Sequence, residues 1–572
     1  MALQRHNLAR NLALATTLLA GAPAYAADVT FDRIVNADKE PGNWLTNHRT
    51  YDGQRFSPLT QINRDNVKNL HLAYAVALGG TAVNENIEAT PLVEDGFIYQ
   101  VDQWAIVYKI DVRSGDAGHI VWRMDPGQDK PPSWSNRGAA LWGNFVISVA
   151  GYPARVIATN KDTGKVAWET NVQDQAPLEL TAAPLVIKDR VFVGASGGDR
   201  GVRDWLMSLD AATGKIVWKK FTIPAPGEPG SETWKDHNNA WQTGGGSLWT
   251  TGTYDPASNQ IFWGTGNPVP MFDPTYRPGD NLYTNSVISW NPEDGKMNWF
   301  HQYTPGDGWD YDSISTEIII DAPVNGKSRK VLAQSNRNGH VYTMESANGQ
   351  MIVAKPYTNV NWTAGIDQKT GKPVEYVANA DRQMYAGTAT ATLDHNNIKQ
   401  CPTLGGGNNF WPTTYSPKTK LMYIPADSGC NSLKIDPNLS NPAGVWKGGV
   451  ATTSERVEGD LVAFDPLKGE IVKKAHWPYA SHAGAVSTAG GLVYSAYADG
   501  TLAAFDDTSM DLKWKINLGA GFTSPPISFG YNDKQYIAAS TGLSRIARGT
   551  LLKSPEESEM RNSTVLYVFS VD

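Results

Sequence analysis

A short phrase returns along the 572-residue chain: an acidic or amide residue, a brief gap, Gly, a charged or polar residue, two mostly apolar residues and Trp. The clear copies are NKDTGKVAW (160–168), DAATGKIVW (210–218) and NPEDGKMNW (291–299), with a looser DVRSGDAGHIVW (111–122). Degenerate copies follow at ESANGQMIV (345–353), DPLKGEIVK (465–473) and DDTSMDLKW (506–514). Strand-like runs such as VYKI, LMSL, LVAF or LAAF precede them, so the T-G-K centre predicts a hairpin turn between two strands. Trp122, Trp168 and Trp218 are separated by 46 (168 − 122) and 50 (218 − 168) residues, the period of a four-stranded propeller blade. Radial repetition also leaves few open strand edges, and 54 Gly with 34 Pro supply the turns. The tryptophans are therefore read as locks between adjacent blades that bury area and carry no chemistry. The longer intervals 232–290 and 355–450 read as insertions where binding loops belong. All of 27–572 is read as one propeller domain, with no second domain.

The first residues carry Arg5 and Arg10, an apolar run from about Leu12 to Ala22, and then Ala24-Tyr25-Ala26. That is the layout of a secretory signal peptide over 1–26, too short to span a bilayer. No later stretch is long and apolar enough for a membrane helix, so a soluble, exported, periplasmic protein is expected. Removing 1–26 takes away two Arg and no acid, moving the formal charge from −7 to −9. A mildly acidic exported protein excludes nucleic acid as the expected partner and suits a basic protein partner. In an oxidising compartment the two cysteines, Cys401 and Cys430, read by default as one structural disulfide, a free thiol pair being the alternative. No C-x-x-C-H occurs, so no covalently attached haem is expected.

Among candidate chemical motifs, GASGG (194–198) matches the G-x-S-x-G nucleophile pattern, but the alternating strand–helix order that mounts such an elbow is missing. H-E-x-x-H, Walker A and dinucleotide-binding patterns are absent. GWDYDS (308–313) places Asp310 and Asp312 two residues apart among aromatic side chains. A solvated turn would explain it. So would a cation or cofactor site, because clustered carboxylates in an apolar setting need a positive partner.

Three longer stretches decide between these readings: TAAPLVIKDRVFVGASGGDRGVR (181–203), GGGSLWTTGTYDPASNQIFWGTGNP (244–268) and TPGDGWDYDS (304–313). In order and spacing they resemble the pyrroloquinoline quinone (PQQ) dependent alcohol dehydrogenases, the methanol and ethanol dehydrogenase family of eight-bladed propellers. The resemblance runs over essentially the whole mature chain. It implies an all-β, eight-bladed β-propeller that oxidises an alcohol to an aldehyde or ketone by metal-assisted hydride transfer to PQQ. It implies Asp310 as catalytic base and Asp199, Asn267, Asp310 and Asp312 as ligands of one hard cation. Trp249 is implied as the floor beneath the quinone. The cofactor contacts implied are Glu88, Arg137, Thr181, Ser196, Gly197, Gly198, Arg337 and Asn409, and Cys401–Cys430 is implied as the structural disulfide.

Chemistry agrees with that transfer. A planar tricarboxylate calls for an aromatic floor and fixed cationic or hydroxyl donors; side-chain oxygens suit a hard cation acting as Lewis acid. Asp312, two residues past Asp310, is expected on the same face of an extended segment, and within the family an Asp there marks lanthanide users, so a lanthanide is favoured over Ca²⁺. With no haem in the chain, a separate soluble cytochrome c or similar carrier is the expected electron acceptor.

The chain departs from the family pattern near the pocket. Asp199 stands where Glu is usual. Pro131-Pro132 replaces adjacent cysteines over the cofactor, which gives Trp134 a role in the ceiling, and His482 replaces a frequent Trp. These changes point away from methanol toward a larger or more polar alcohol. A PQQ enzyme for sugars or aldehydes, and a cofactor-free propeller scaffold of the cell envelope, are the alternative readings.

Overall fold

The computed structural model describes residues 28–571 apart from 81–84, 132–133, 325, 387–389, 440–444, 454, 544–551 and 554–559. The expected signal peptide therefore lies outside the described residues, as does Pro132. The regular structure of the described chain is almost all β-strand, paired antiparallel apart from Phe56–Ser57, which pairs parallel with Ala485–Thr488. Consecutive strands pair in order within one sheet, as in Leu92–Glu94, Phe97–Val101, Val107–Asp111 and His119–Met124, and then the chain moves to the next. Among the described residues this gives seven four-stranded sheets, one five-stranded sheet and a three-stranded sheet. One four-stranded sheet joins the two ends of the chain: His71–Ala77 pairs antiparallel with Val565–Ser570, which continues to Lys534–Ser540 and Ile527–Tyr531. Inner strands such as Val107–Asp111 are buried almost throughout, whereas outer strands such as Val166–Asn171 alternate exposed and half-buried positions.

The repeated phrase is a docking device whose two ends serve different sheets. Its Gly closes a tight turn, accepted by the carbonyl of the opening Asn, Asp or Glu: Gly164 N–H to Asn160, Gly214 to Asp210, Gly295 to Asn291 and Gly349 to Glu345, all at 2.8–2.9 Å. These glycines have φ between +68° and +73°, a region that costs other L-residues energy. A bulge at the residue before Trp168, Trp218 and Trp299 then twists the outer strand at each indole. Each indole packs on the turn of the following sheet. Trp122 Nε1 donates to Lys161 O at 2.9 Å, Trp168 to Ala211 O, Trp218 to Pro292 O and Trp299 to Ser346 O, each at 3.1 Å. A Cβ on Gly164, Gly214, Gly295 or Gly349 would stand only 2.5–2.8 Å from that same indole. Positive φ and the missing side chain are thus required together. Burying one aromatic face contributes on the order of 2 kcal/mol per junction.

The insertion boundaries differ from expectation. Thr253–Asp255, Gln260–Gly264 and Ser286–Trp290 lie within 232–290 and are three strands of a regular sheet. The stretch before Thr253 and the loop 265–285 are the added parts. Likewise 355–450 contains two strands of another sheet, Thr414–Ser416 and Leu421–Ser428, and two strands, Ile398–Gln400 and Asn431–Ile435, of a separate three-stranded sheet completed by Gly449–Thr453 at its far boundary. Of these, Thr253–Asp255, Ile398–Gln400 and Thr414–Ser416 are three residues long and carry too little alternation to be seen in sequence.

Gly214→Ala tests the docking device. It should lower unfolding stability by roughly 2–4 kcal/mol, from the left-handed φ and the overlap with Trp168 combined. Denaturant titration reads this, and an unchanged midpoint would count against the junction account.

Candidate functional site

The segment 304–313 follows the outer strand Met297–Gln302 and runs without strand structure into the protein's interior. Asp310 and Asp312 are both buried. Asp310 has φ +68°, so the segment is not extended, and strand alternation is not what brings the pair together. Their common partner does so. Arg337 Nη2 lies 2.9 Å from Asp310 Oδ2, and Arg337 Nη1 pairs with Asp312 Oδ2. Arg337 follows the strand Lys327–Ser335, and its Nε donates to Leu404 O at 2.8 Å.

Asp199 reaches the same region from the turn after the strand Arg190–Gly194. Gly197 adopts φ +108°, and a Cβ on Gly198 would lie 2.5 Å from Ser247 Oγ and 2.7 Å from Asp204 Oδ2. Both glycines are therefore needed for the chain to pass. The Asp199 carboxyl is pushed up to about 7, first by burial and then by the Asp312 charge, against Arg337 and a hydrogen bond with the Asn267 side chain. Asn267 also donates its main-chain N–H to Asp312 Oδ1 at 2.5 Å. Burial raises the Asp310 and Asp312 carboxyls as well, with Arg337 opposing. Asp199, Asn267, Asp310, Asp312 and Arg337 thus form one electrostatic unit: three enclosed carboxyls face one guanidinium inside it. Among the described residues no three carboxylate, His or Cys side chains close round a metal ion; the positive charge between Asp310 and Asp312 is Arg337.

The expected cofactor contacts meet this unit at Trp249, whose side chain hydrogen-bonds Asp312. Trp249 is half-buried. The Arg137 guanidinium stands 4.4 Å from its ring centroid and 5.0 Å from that of Phe410. Arg137 Nη2 pairs with Glu88 Oε2 at 2.7 Å, and Glu88 Oε1 accepts from Asn86 and Ser135 at 2.8 Å each. Thr181 Oγ1 lies 3.3 Å from Ser196 Oγ and donates to Trp249 O at 3.1 Å. Asn409 precedes Phe410 and bonds Gly405 O at 2.9 Å. Arg137 Nε is buried and unpartnered, beside a half-open indole face and two hydroxyls. That donor set fits a planar, aromatic polyanion. The carboxyl and amide oxygens of this set are of the type a hard cation takes, and Asp199, Asp310 and Asp312 are raised first by burial, with Arg337 opposing.

Cys401 and Cys430 form the expected disulfide. The loop they bracket supplies Leu404 O to Arg337 and Pro402 O to the Tyr311 hydroxyl, 2.8 Å each. His482 is held: its Nε2 is 2.7 Å from Asp427 Oδ2, and its ring stacks 4.1 Å from Trp411. Trp134 is buried against Gly151 and Tyr152. The Ser196 hydroxyl lies beside that of Thr181, and its main chain pairs with that of Glu179. Sequence reasoning missed Asp204, whose carboxyl accepts from Ser247 Oγ at 2.5 Å and is raised by burial. It also missed Glu179, which pairs with Arg200 and Tyr152 beside Asp199. Neither belongs to a local pattern.

Residues 44–363 match the family model described as the glucose, ethanol and alcohol dehydrogenase β-propeller domain of the PQQ enzymes. The quinohemoprotein alcohol dehydrogenase ADH-IIG of Pseudomonas putida is 33% identical over 93% of this chain and 77% of its own length. The quinoprotein alcohol dehydrogenase PedH of the same species is 32% identical over 94% and 92%. Among solved structures, a europium-containing methanol dehydrogenase superposes with a TM-score of 0.86 at 28% identity, covering 94% of this chain and all of that one.

Raised carboxyls bear on stability. Unfolded aspartate titrates near 3.8, and folded Asp199 near 7, with Asp204 and Asp310 raised as well; Glu317 is raised to about 8 by burial. Their contribution is fully present below the unfolded values and lost as pH rises through the folded ones. Buried His48, His301 and His340 are held below 6.5, which works in the opposite sense but only under pH 6.5. The melting midpoint of cation-free protein should therefore fall from pH 6.5 to 8.5 in circular dichroism scans; a rising midpoint would contradict this charge assignment.

Proposed function

The chain belongs to the family of PQQ-dependent alcohol dehydrogenases, and on that premise we propose which of its own residues carry the reaction. It is an oxidoreductase that oxidises an alcohol with PQQ and works with a hard cation, a lanthanide or Ca²⁺. When bound, PQQ supplies the two-electron acceptor and the cation supplies the Lewis acid. Trp249 forms the floor of the cofactor site. Arg137, Thr181 and Ser196 would offer their donors to the cofactor's carboxylates, Glu88, Asn409 and Arg337 would hold it by polar contacts, and Gly197 and Gly198 would let the main chain come close. Asp199, Asn267, Asp310 and Asp312 would hold the cation through oxygen. Asp310 takes the substrate hydroxyl proton onto its carboxylate as the carbinol hydrogen leaves with its electron pair.

The observation that supports this reading is the convergence of Asp310 and Asp312 on Arg337 beside Asp199. Three carboxyls and one guanidinium leave an excess of negative charge away from water, which a multiply charged cation offsets. Asp312 supplies the third carboxylate, which favours a trivalent lanthanide over Ca²⁺, and the structurally similar methanol dehydrogenase contains europium. An aspartate at 199, shorter by one methylene than the family's usual glutamate, alters the reach of that ligand. With His482 in place of the frequent tryptophan, an alcohol larger or more polar than methanol is the substrate class proposed. Electrons pass to a separate soluble cytochrome c in the periplasm. Residues 27–572 act as one eight-bladed domain, and among the described residues no helix is long and apolar enough to cross a membrane.

The test reconstitutes cation-free protein with PQQ and either CaCl₂ or LaCl₃, then follows dye reduction over a panel of alcohols. Asp310→Asn should lower kcat by roughly 10²–10⁴-fold and still take up PQQ. Asp312→Ala should lose more of its lanthanum-supported turnover than of its calcium-supported turnover. Full activity of Asp310→Asn would remove the proposed base, and methanol as best substrate would overturn the specificity.

A further inference from the structure

The left-handed conformation of Asp310 has a visible cause three residues earlier. Asp307 is completely buried, and its carboxylate accepts three consecutive main-chain N–H groups: Trp309 at 3.2 Å on Oδ1, then Asp310 and Tyr311 at 3.1 Å each on Oδ2. Successive amides curled toward one point form an anion-binding nest, and here the anion is the chain's own side chain. The arrangement is tied down from outside as well. Arg277, itself fully buried, donates to Asp307 O at 2.5 Å and to Pro270 O and Met271 O at 2.9 and 3.1 Å, which fastens the turn to the loop 265–285. Gln400 donates to Trp309 O at 2.9 Å, and Asn285 to Tyr311 O at 2.7 Å.

We propose that Asp307 is a positioning residue for the reaction: by collecting the amides of 309–311 it holds Asp310 at positive φ and so aims its carboxylate at Arg337 and the substrate. Asp307 stands three residues before Asp310 and acts through the main chain. An aspartate prefers negative φ; without the nest, the turn relaxes and Asp310 leaves Arg337. Burial still raises this carboxyl, and the Arg277 charge and the amide bonds of the nest offset part of that cost. The inference rests on the reading of Asp310 as the base, so the test carries a variant for each.

Full-length wild type, Asp307→Asn, Asp307→Ala and Asp310→Asn are compared. Amide hydrogen exchange is measured first, without PQQ or added cation, because it reports on the turn whatever the cofactor does. Exchange at 309–311 should rise by roughly tenfold or more in Asp307→Ala and less in Asp307→Asn, which keeps one acceptor oxygen, while the strands of the sheets keep their protection. In the reconstituted enzyme kcat should fall by about 10–100-fold, the range seen when groups supporting a metal ligand are removed, with KM for the alcohol within roughly threefold. A folded Asp307→Ala with protected 309–311 amides and wild-type kcat, alongside an inactive Asp310→Asn, overturns the positioning role alone. An active Asp310→Asn overturns the reading beneath it. If Asp307→Ala does not fold, exchange at 309–311 in Asp307→Asn decides: wild-type protection refutes the anchor and lost protection supports it.

Discussion

Three carboxyl groups shut away from water around a single guanidinium set the terms for the rest of this molecule. Each is held above its ordinary protonation range by burial, and Arg337 compensates only part of their charge. Isolated ions in such surroundings cost several kcal/mol each. A fold keeps such a cluster where something else completes it, and functional sites are where perturbed carboxyls gather. Trp249 connects the cluster to the aromatic, cation-lined site of Arg137, Glu88 and Thr181, so a cation and a planar acceptor would meet along one wall.

Holding that cluster requires a frame that does not relax, and the repeated Gly–Trp junctions provide it. Each indole is fixed by one hydrogen bond to the turn of the next sheet and by a glycine against its face, so sheets are coupled to neighbours in sequence. The loops that carry chemistry extend from this frame. Asp199 follows an inner strand past two glycines, Asp310 and Asp312 lie on a coiled segment between sheets, and Arg337 follows a long strand. The disulfide-bridged loop then presents Leu404 O to Arg337. The added segments thus pack round the carboxyl cluster: Asp199 O accepts from Trp446 N–H at 2.7 Å, and Met271 N–H donates to Trp446 O at 3.0 Å.

Much of this was legible in the residues. The repeated phrase contains both the turn and the docking Trp, and so announces strand, turn and inter-sheet contact together; residue types such as Asp199, Trp249, Asp310 and Asp312 sit in long, specific motifs. Other features depend on contacts remote in sequence. The left-handed turn at Asp310 could not be seen from the i, i+2 spacing, which suggests a strand, because Asp307 and Arg277 impose it. The sequence marks His482 only as a replacement for a frequent Trp, whereas Asp427, 55 residues earlier (482 − 427), holds it against Trp411. Three-residue strands such as Thr253–Asp255 escaped notice because they acquire their register from partners, not from their own pattern.

The most direct measurement is a crystal structure of the protein loaded with PQQ and a lanthanide, with the metal located by its anomalous scattering. The account predicts a single strong peak about 2.3–2.6 Å from side-chain oxygens of Asp199, Asn267, Asp310 and Asp312, next to a planar cofactor lying on Trp249. A peak elsewhere, or a fully active loaded enzyme in which Arg337 alone still separates Asp310 from Asp312, would contradict it.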